Sequence, residues 1–410
     1  YRNDGDGNFD WARAEQVFGP ASDTRSVALA HMNRDDALDI VVGNWGEPNA
    51  VFLNDGAGRF DWPGSERGFG GNENTRGIAL GDLDGDRDLD VVVGNTGLGS
   101  TGQHNIAYLN DGAGNLGVGE GSQFGGDFDQ GASIALGDVD GDGDLDAVVG
   151  NVNDTWNYVY LNDGAGGFGD GERVAFGVET NSTFSLALGD LNRDGALDIA
   201  AGNLRQPDVV YLNARLRRFD RPGSQRPFGA TADRTMSVAL GDVDGNGALD
   251  IIASNLGVSN SNALYLNDGE GRFDWAGSQR LFGLAGENGD RSLAVGDLDG
   301  DGTLDVVVGN FGQPSAVYLN DGRGNFDWPD AERPLGAAAA IKSLALGDVD
   351  NDGDLDIVAG RIGAPSAVHL NDGAANFDQR SFGPAQSRAE SMALGDVDGD
   401  GDLDIALGNW

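Results

Sequence analysis

The chain has 410 residues, 69 of them glycine, with 67 acidic side chains against 26 basic ones and a formal net charge of −41. That charge repels nucleic-acid phosphates and anionic membrane surfaces, and no apolar run is long enough to cross a bilayer, so neither nucleic acid nor membrane insertion is expected. No cysteine is present, which removes disulfides, thiolate metal sites and cysteine nucleophiles.

The first eleven residues, YRNDGDGNFDW, show neither an initiator methionine nor a charged and then apolar leader, so a processed product or a fragment is expected. They read as the second half of a unit whose first half comes next. ALAHMNRDDALDIVVGN at 28–44 returns in clearer form as ALGDLDGDRDLDVVVGN at 79–95, then at 135–151, 187–203, 239–255, 294–310, 345–361 and 393–409. The first acidic position moves from 31 to 396 over these eight copies, about 52 residues each, the size of a four-strand unit.

Within a unit, an S-x-A-L-G run enters an acidic turn, and L-D-I-V-V-G-N is β-branched and short enough for a buried strand. Asn-Asp-Gly then signals a hairpin at Asn54, Asn110, Asn162, Asn267, Asn320 and Asn371, since glycine tolerates positive φ. The fourth strand carries Phe-Asp-Trp at Phe60, Phe273 and Phe326. A Phe-Gly pair follows at Phe18, Phe69, Phe124, Phe176, Phe228, Phe282 and Phe382. No helical period is sustained. The pattern predicts an all-β fold, a single domain over 1–410 built as an eight-bladed β-propeller of four-stranded antiparallel blades. The chain ends on DLDIALGNW, a second strand, so residues 1 to 11 are expected to complete the blade begun by residues 391 to 410 and close the ring two-plus-two.

Each acidic turn follows D-x-D-x-D-G-x-x-D. Calcium takes six to eight hard oxygen ligands, and alternate carboxylates in a tight turn converge while glycine takes the bend. Positions one, three, five and nine are expected to give side-chain oxygens and position seven its carbonyl. Loop one is degenerate: His31 holds position one, followed by Asn33, Asp35 and Asp39, with Asp36 where glycine belongs, and a weak or empty site is expected. Loop two offers Asp82, Asp84, Asp86 and Asp90 with the carbonyl of Asp88. Loop three offers Asp138, Asp140, Asp142 and Asp146 with Asp144. Loops four and five each trade one carboxylate for an amide, giving Asp190, Asn192, Asp194 and Asp198 with Ala196, then Asp242, Asp244, Asn246 and Asp250 with Ala248. Loop six reads Asp297, Asp299, Asp301 and Asp305 with Thr303, and loop seven Asp348, Asp350, Asp352 and Asp356 with Asp354. Loop eight reads Asp396, Asp398, Asp400 and Asp404 with Asp402. About seven Ca²⁺ are expected, an eighth if loop one fills, and seven would bring the formal charge from −41 to −27.

The acidic loop, the trailing L-D-I-V-V-G-N, the L-N-D-G-x-G-x-F hairpin and the Phe-Gly pair together resemble FG-GAP/VCBS repeats, the type found in integrin α-subunit propellers and in bacterial surface and secreted proteins. The resemblance covers essentially the whole chain. It implies a propeller with calcium on the hairpin between strands one and two of each blade, usually on the lower face, and ligands on the upper face. The departures are loop one, Leu335-Gly336 in place of Phe-Gly, and Asn213-Ala214-Arg215 in place of one hairpin.

No nucleophile elbow, phosphate loop or H-E-x-x-H motif occurs, and His31, His104 and His369 lie at three non-equivalent repeat positions, so no enzyme is expected. A calcium-stabilised, extracellular or cell-surface adhesion module that recognises a glycan or a protein is the expected function. The alternatives are a structural subunit of a larger assembly and a lyase-like, polysaccharide-active enzyme. Two features mark the expected ligand face. A ring of Asn44, Asn95, Asn151, Asn203, Asn255, Asn310, Arg361 and Asn409, with Trp45, Phe311 and Trp410 following, either holds a sugar or satisfies strand ends. Just before the innermost strand, Arg25, Arg76, Arg291 and Lys342 form a basic arc broken by Glu390. The cluster of Arg215, Arg217, Arg218 and Arg221 reads as a solvated or contact surface.

Overall fold

The computed structural model describes the whole chain except residues 11–13, 98–102, 118–120, 127–129, 154, 170–172, 178–181, 214–218, 220–222, 230–233, 258–260, 284–287 and 290–291. The described residues form strands and turns without a helix. Seven antiparallel sheets built on four strands each follow one another at 24–69, 75–124, 131–176, 183–228, 235–282, 292–334 and 339–382, the fifth joined by the short strand Asn288–Gly289 and the seventh by Phe311–Gln313, and a strand pair, Ala389–Gly395 with Asp404–Asn409, comes last. In sheet one, Thr24–Ala30 pairs with Asp39–Asn44, which pairs with Asn49–Phe52, which pairs with Glu66–Phe69. The second strand is the D-I-V-V-G-N run. It is buried at every residue, which is why it reads as a continuous apolar stretch and not an alternating one.

Successive sheets pack first strand against first strand, and Ala389–Gly395 packs back on Thr24–Ala30. The glycine before the strand-end asparagine or arginine of the second strand, replaced only in sheet five by Ser254, permits this approach. A Cβ on Gly43 would lie 2.8 Å from Thr75 Cγ2, and one on Gly408 would lie 2.7 Å from Val27 Cγ2. Ser Oγ atoms stitch the same seams: Ser26 accepts from Ile78 N–H at 3.4 Å, and Ser391 accepts from Val27 N–H at 3.1 Å.

The hairpin asparagine is the main tie between sheets. Asn110 Nδ2 donates to Leu89 O in its own sheet and, at 2.7 Å, to Met32 O in the acidic loop of the preceding sheet, while its Oδ1 accepts from Gly112 and Gly114. Asn162, Asn213, Asn267, Asn320 and Asn371 repeat the bond to Leu83, Val139, Leu191, Val243 and Leu298. Asn54 reaches Val397 in loop eight, and Asn3 reaches Val349 in loop seven. Aromatic edges follow the same order. Phe69 meets Tyr108 with centroids 5.0 Å apart, Phe382 meets Tyr1 at 5.0 Å and Phe18 meets Phe52 at 4.9 Å.

At the last strand pair, Tyr1 exchanges backbone bonds of 2.8 and 2.9 Å with Ile405, the register that Phe52 holds on Ile40. Arg2 N–H donates to Ala14 O at 2.8 Å as Leu53 does to Ser65. The segment lying on this pair therefore extends to Phe18, beyond the expected residue 11, and residues 1–10 form a turn without regular strand. Beside it is a cavity of about 540 Å³ lined by Val17, Phe18, Leu407 and Asn409 among others.

Replacing Asn162 by alanine takes the side-chain donor from Leu145 O and from Leu83 O, the latter keeping only Gly166 N–H, and takes the acceptor from the N–H groups of Gly164 and Gly166. The expected cost is about 2–4 kcal/mol, read as a lowered urea midpoint, whereas Asp163→Ala in the same exposed turn should cost about 1 kcal/mol or less.

Candidate metal loops and the opposite face

Loop two shows how the acidic turn is built. Asp82 accepts from Gly85 and Arg87 N–H groups at 2.8 and 3.0 Å, Asp84 from Asp86 at 3.2 Å, and Asp86 from Asp88 at 2.9 Å. These bonds turn the carboxylates inward, and each oxygen keeps a second lone pair. The oxygens of Asp82, Asp84 and Asp86 lie within 4.8 Å of one another. So do those of Asp138, Asp140 and Asp146, of Asp242, Asp244 and Asp250, of Asp297, Asp299 and Asp305, and of Asp348, Asp350 and Asp356. Three converging carboxylates repel unless a cation joins them. Asp242 Oδ1, Asp297 Oδ1, Asp350 Oδ1 and Asp398 Oδ1 are buried and accept no hydrogen bond from the described residues. An all-oxygen set with unspent lone pairs fits a hard divalent cation. Calcium there would be held by positions one, three, five and nine and by the carbonyl of position seven.

The ninth position does two jobs. Asp90 is buried, with Oδ2 accepting from Leu83 N–H and Oδ1 from Asn110 N–H, both at 2.8 Å, so it locks the loop to the hairpin. Asp39, Asp146, Asp198, Asp250, Asp305, Asp356 and Asp404 repeat this pair of bonds. Burial pushes the carboxyls of Asp39, Asp90, Asp146, Asp356 and Asp404 up to about 6, and those of Asp198, Asp250 and Asp305 up to about 7. Desolvation also raises Asp84, Asp299, Asp350 and Asp398, with neighbouring carboxylates adding to it.

Position seven gives its N–H to position five in all eight loops. Asn192 and Asn246 keep an oxygen turned inward, accepting from Asp194 N–H at 2.9 Å and Ala248 N–H at 2.6 Å. Loop one differs. Asn33 Nδ2 donates to Asp35 Oδ2 at 2.7 Å, which spends a carboxylate oxygen, and the exposed His31 ring pairs with Ala37 O at 3.0 Å.

At the other end of the first strands, the arc positions prove to be β-bulges. The register shifts between Thr24 and Ser26, between Thr75 and Gly77, between Ile341 and Ser343 and between Ala389 and Ser391, leaving Arg25, Arg76, Lys342 and Glu390 as the extra residues. The arc is partly neutralised internally. Glu390 receives Arg25 and Lys342, each at 3.4 Å, and Arg25 also pairs with Asp23 at 2.7 Å. The Arg76 guanidinium lies 5.3 Å from the Phe184 ring. Arg291 and the Arg215, Arg217, Arg218 and Arg221 cluster lie outside the described residues.

Arg25 stands 5.6 Å from the half-buried Trp45 ring and 5.5 Å from that of Trp410, which is 43% exposed and carries Arg388 at 4.6 Å on top. Asp23 and Arg388 occupy one repeat position whose residue varies from sheet to sheet, with Arg234 at the same place, so no recurring motif marks it. The asparagine ring serves strand ends: Asn44 accepts from Thr24 Oγ1 at 2.8 Å and donates to Pro48 O at 2.7 Å, and Asn95, Asn151 and Asn203 are likewise buried. His369 is buried against Arg361 at 3.3 Å, and burial together with that cation lowers its pKa to about 4.

Repeated four-stranded sheets with an acidic loop between the first two strands define a propeller-type repeat protein. The chain belongs to the FG-GAP-like repeat family, matching it over residues 31–93, 138–201, 191–253, 252–308 and 297–359. It is 26% identical over 273 residues to cartilage acidic protein 1 of Xenopus tropicalis, covering 62% of this chain and 41% of that protein. It is 34% identical over 120 residues to the Mus musculus protein of that name, covering 28% and 17%. The chain thus spans less than half of these relatives. In fold it is similar to the Dos1 propeller, with a TM-score of 0.58 at 12% identity over 95% of this chain and 93% of that one. It is also similar to the computationally designed Ika8 protein, with a TM-score of 0.57 at 13% identity over 95% and 97%. Among the described residues no helix is long and apolar enough to cross a membrane.

The ninth-position carboxyls sit above their ordinary 3.8 when folded, so without metal the folded chain binds more protons than the unfolded one. Their contribution is full below the unfolded value and is lost as pH rises through about 6 to 7. Calorimetry in chelator should therefore show a melting temperature that falls from about pH 5 to about pH 7.5. Excess calcium, which binds the ionised form, should reverse that slope. A chelated protein that gains stability over this range would contradict the assignment.

Proposed function

We propose that the protein is an eight-bladed ring, closed two-plus-two, that holds about seven Ca²⁺ and acts outside the cell as a non-enzymatic module binding a glycan or a protein. The asparagine ties of Asn54 and Asn3, which carry the inter-sheet pattern across the last strand pair, support the closure. The unspent, buried oxygens of Asp242, Asp297, Asp350 and Asp398 carry the calcium reading. With dissociation constants of roughly 0.1 mM and about 1 mM free calcium, each site adds on the order of 1.4 kcal/mol and seven add roughly 10 kcal/mol, comparable to a whole folding free energy. Native mass spectrometry should count about seven ions, and chelator should lower the melting temperature sharply. Fewer than five strong sites, or an unchanged melting curve, would sink the calcium assignment.

The binding reading rests on the Trp45, Trp410, Arg25 and Arg388 cluster, which lies at the end of the first strands remote from the acidic loops. Because Asp23 and Glu390 engage Arg25 and Lys342, the surface favours a partner that stacks on the indole rings over one held by charge alone. The extracellular setting agrees with the net charge of −41 and with the likeness to cartilage acidic protein 1. A glycan array with and without calcium tests the reading. Binding should be insensitive to salt and lost in Trp45→Ala with Trp410→Ala, with the calcium count unchanged. Salt-sensitive binding abolished by Arg76→Glu would instead favour an acidic partner, and no ligand in a broad screen would favour a structural subunit.

A further inference from the structure

Three loops lack glycine at their fourth position: Arg34 in loop one, Arg193 in loop four and Asn351 in loop seven. All three adopt the left-handed backbone that glycine holds in the other loops, with φ of 60°, 58° and 58° against 77° at Gly85 and 71° at Gly300. A side chain in that conformation is strained, and here each one reaches the next loop. Arg34 clasps the Asp88 carboxylate of loop two through Nε and Nη2 and stands 4.0 Å from Asp86 Oδ2. Arg193 Nη2 donates to the Asn246 carbonyl of loop five at 3.0 Å and lies 3.4 Å from its Oδ1. Asn351 Nδ2 donates to Asp402 Oδ1 of loop eight at 2.6 Å. The contact always falls on the fifth or seventh position of the receiving loop, the stretch that supplies ligands.

We propose that Arg34 and Arg193 lend a fixed positive charge to the loop that follows them and lower its calcium affinity, so that loop two binds more weakly than loop three although their ligands are the same. The inference rests on the calcium reading above. Loops two and three both carry four aspartates at the side-chain positions. Two things differ: the preceding loop, with Arg34 before loop two and Gly85 before loop three, and the sixth position, Arg87 in loop two and Gly143 in loop three, so replacing Arg34 within loop two's own background isolates the first. Asp88 is almost fully buried under the Arg34 guanidinium, so the charge is held in place. Loop one, with Asp35 engaged by Asn33, then supplies a cation where the other loops receive one. Asn351 makes the same reach without charge, although Arg2 stands 3.7 Å from Asp398 in loop eight, so loops three and six are the reference sites. An exposed guanidinium near a divalent ion is screened, which sets the effect at about three- to tenfold.

The test is native mass spectrometry of the intact chain over a free-calcium titration. The release step of loop two is the one missing from an Asp84→Ala chain. Arg34→Gln should move that step about three- to tenfold lower in free calcium, while Arg34→Lys, which keeps the charge, should leave it near the parent value. Asn351→Arg should move one step of the opposite end of the series, that of loop eight, to higher calcium. A loop-two step that stays in place or shifts to higher calcium in Arg34→Gln overturns the inference, since Arg34 would then be organising the loop. A parent chain that binds no ion overturns the calcium reading itself, a result distinguishable from the first.

Discussion

Everything in this fold hangs on the side-chain amide of one asparagine per sheet. Its oxygen organises its own hairpin, and its nitrogen bonds the carbonyl at the second position of the preceding acidic loop, as Asn110 does with Met32. The backbone N–H of the same asparagine goes to the ninth-position aspartate, Asp90 for Asn110. Hairpin, acidic loop and neighbouring sheet thus share one hydrogen-bonded junction. An amide is the only side chain that supplies both the acceptor and the two donors this arrangement uses. The acidic loops are therefore joined to the contacts that set one sheet on the next.

That junction explains why a chain so rich in carboxylates can fold at all. Eight aspartates are buried at the ninth position, each held by two backbone N–H groups and raised towards neutrality by desolvation. Other loop carboxylates converge on one another or on the ninth position, within 4.8 Å, and repel one another there. Apolar burial supplies the sheets, with valines and isoleucines on the second strands and phenylalanine on tyrosine between sheets, but it does not solve the electrostatics of the loops.

Much of this was legible from the residues. The repeat period, the strand content and the acidic loops follow from spacing and from the chemistry of oxygen donors, and the family match agrees with them. Hidden from spacing were the facts that depend on a neighbour one sheet away. Asn-Asp-Gly reads as a turn because the glycine signals φ, whereas the bond from asparagine to the preceding sheet spans more than seventy residues. Gly43 reads as an ordinary strand residue, although its missing side chain lets Thr75 approach. The arc of Arg25 and Lys342 looked basic in sequence, but the bulge geometry turns both towards Glu390. The hairpin motif of the closing segment stops near residue 11, whereas it is Phe18 that completes the stacking.

Sheet seven is the odd member, and its oddity bears on assembly. Units this alike can dock on the wrong neighbour, a hazard for any array of near-identical modules. At the junction of sheets six and seven, Leu335 stands where the others have phenylalanine, and His369 stands where they have an aromatic partner. Arg361, buried against His369, replaces the strand-end asparagine. A copy of sheet seven set after any other sheet would bring its buried guanidinium and imidazole up to a phenylalanine in place of Leu335. The mismatch acts as an index mark on an otherwise uniform series, distinguishing which module follows which.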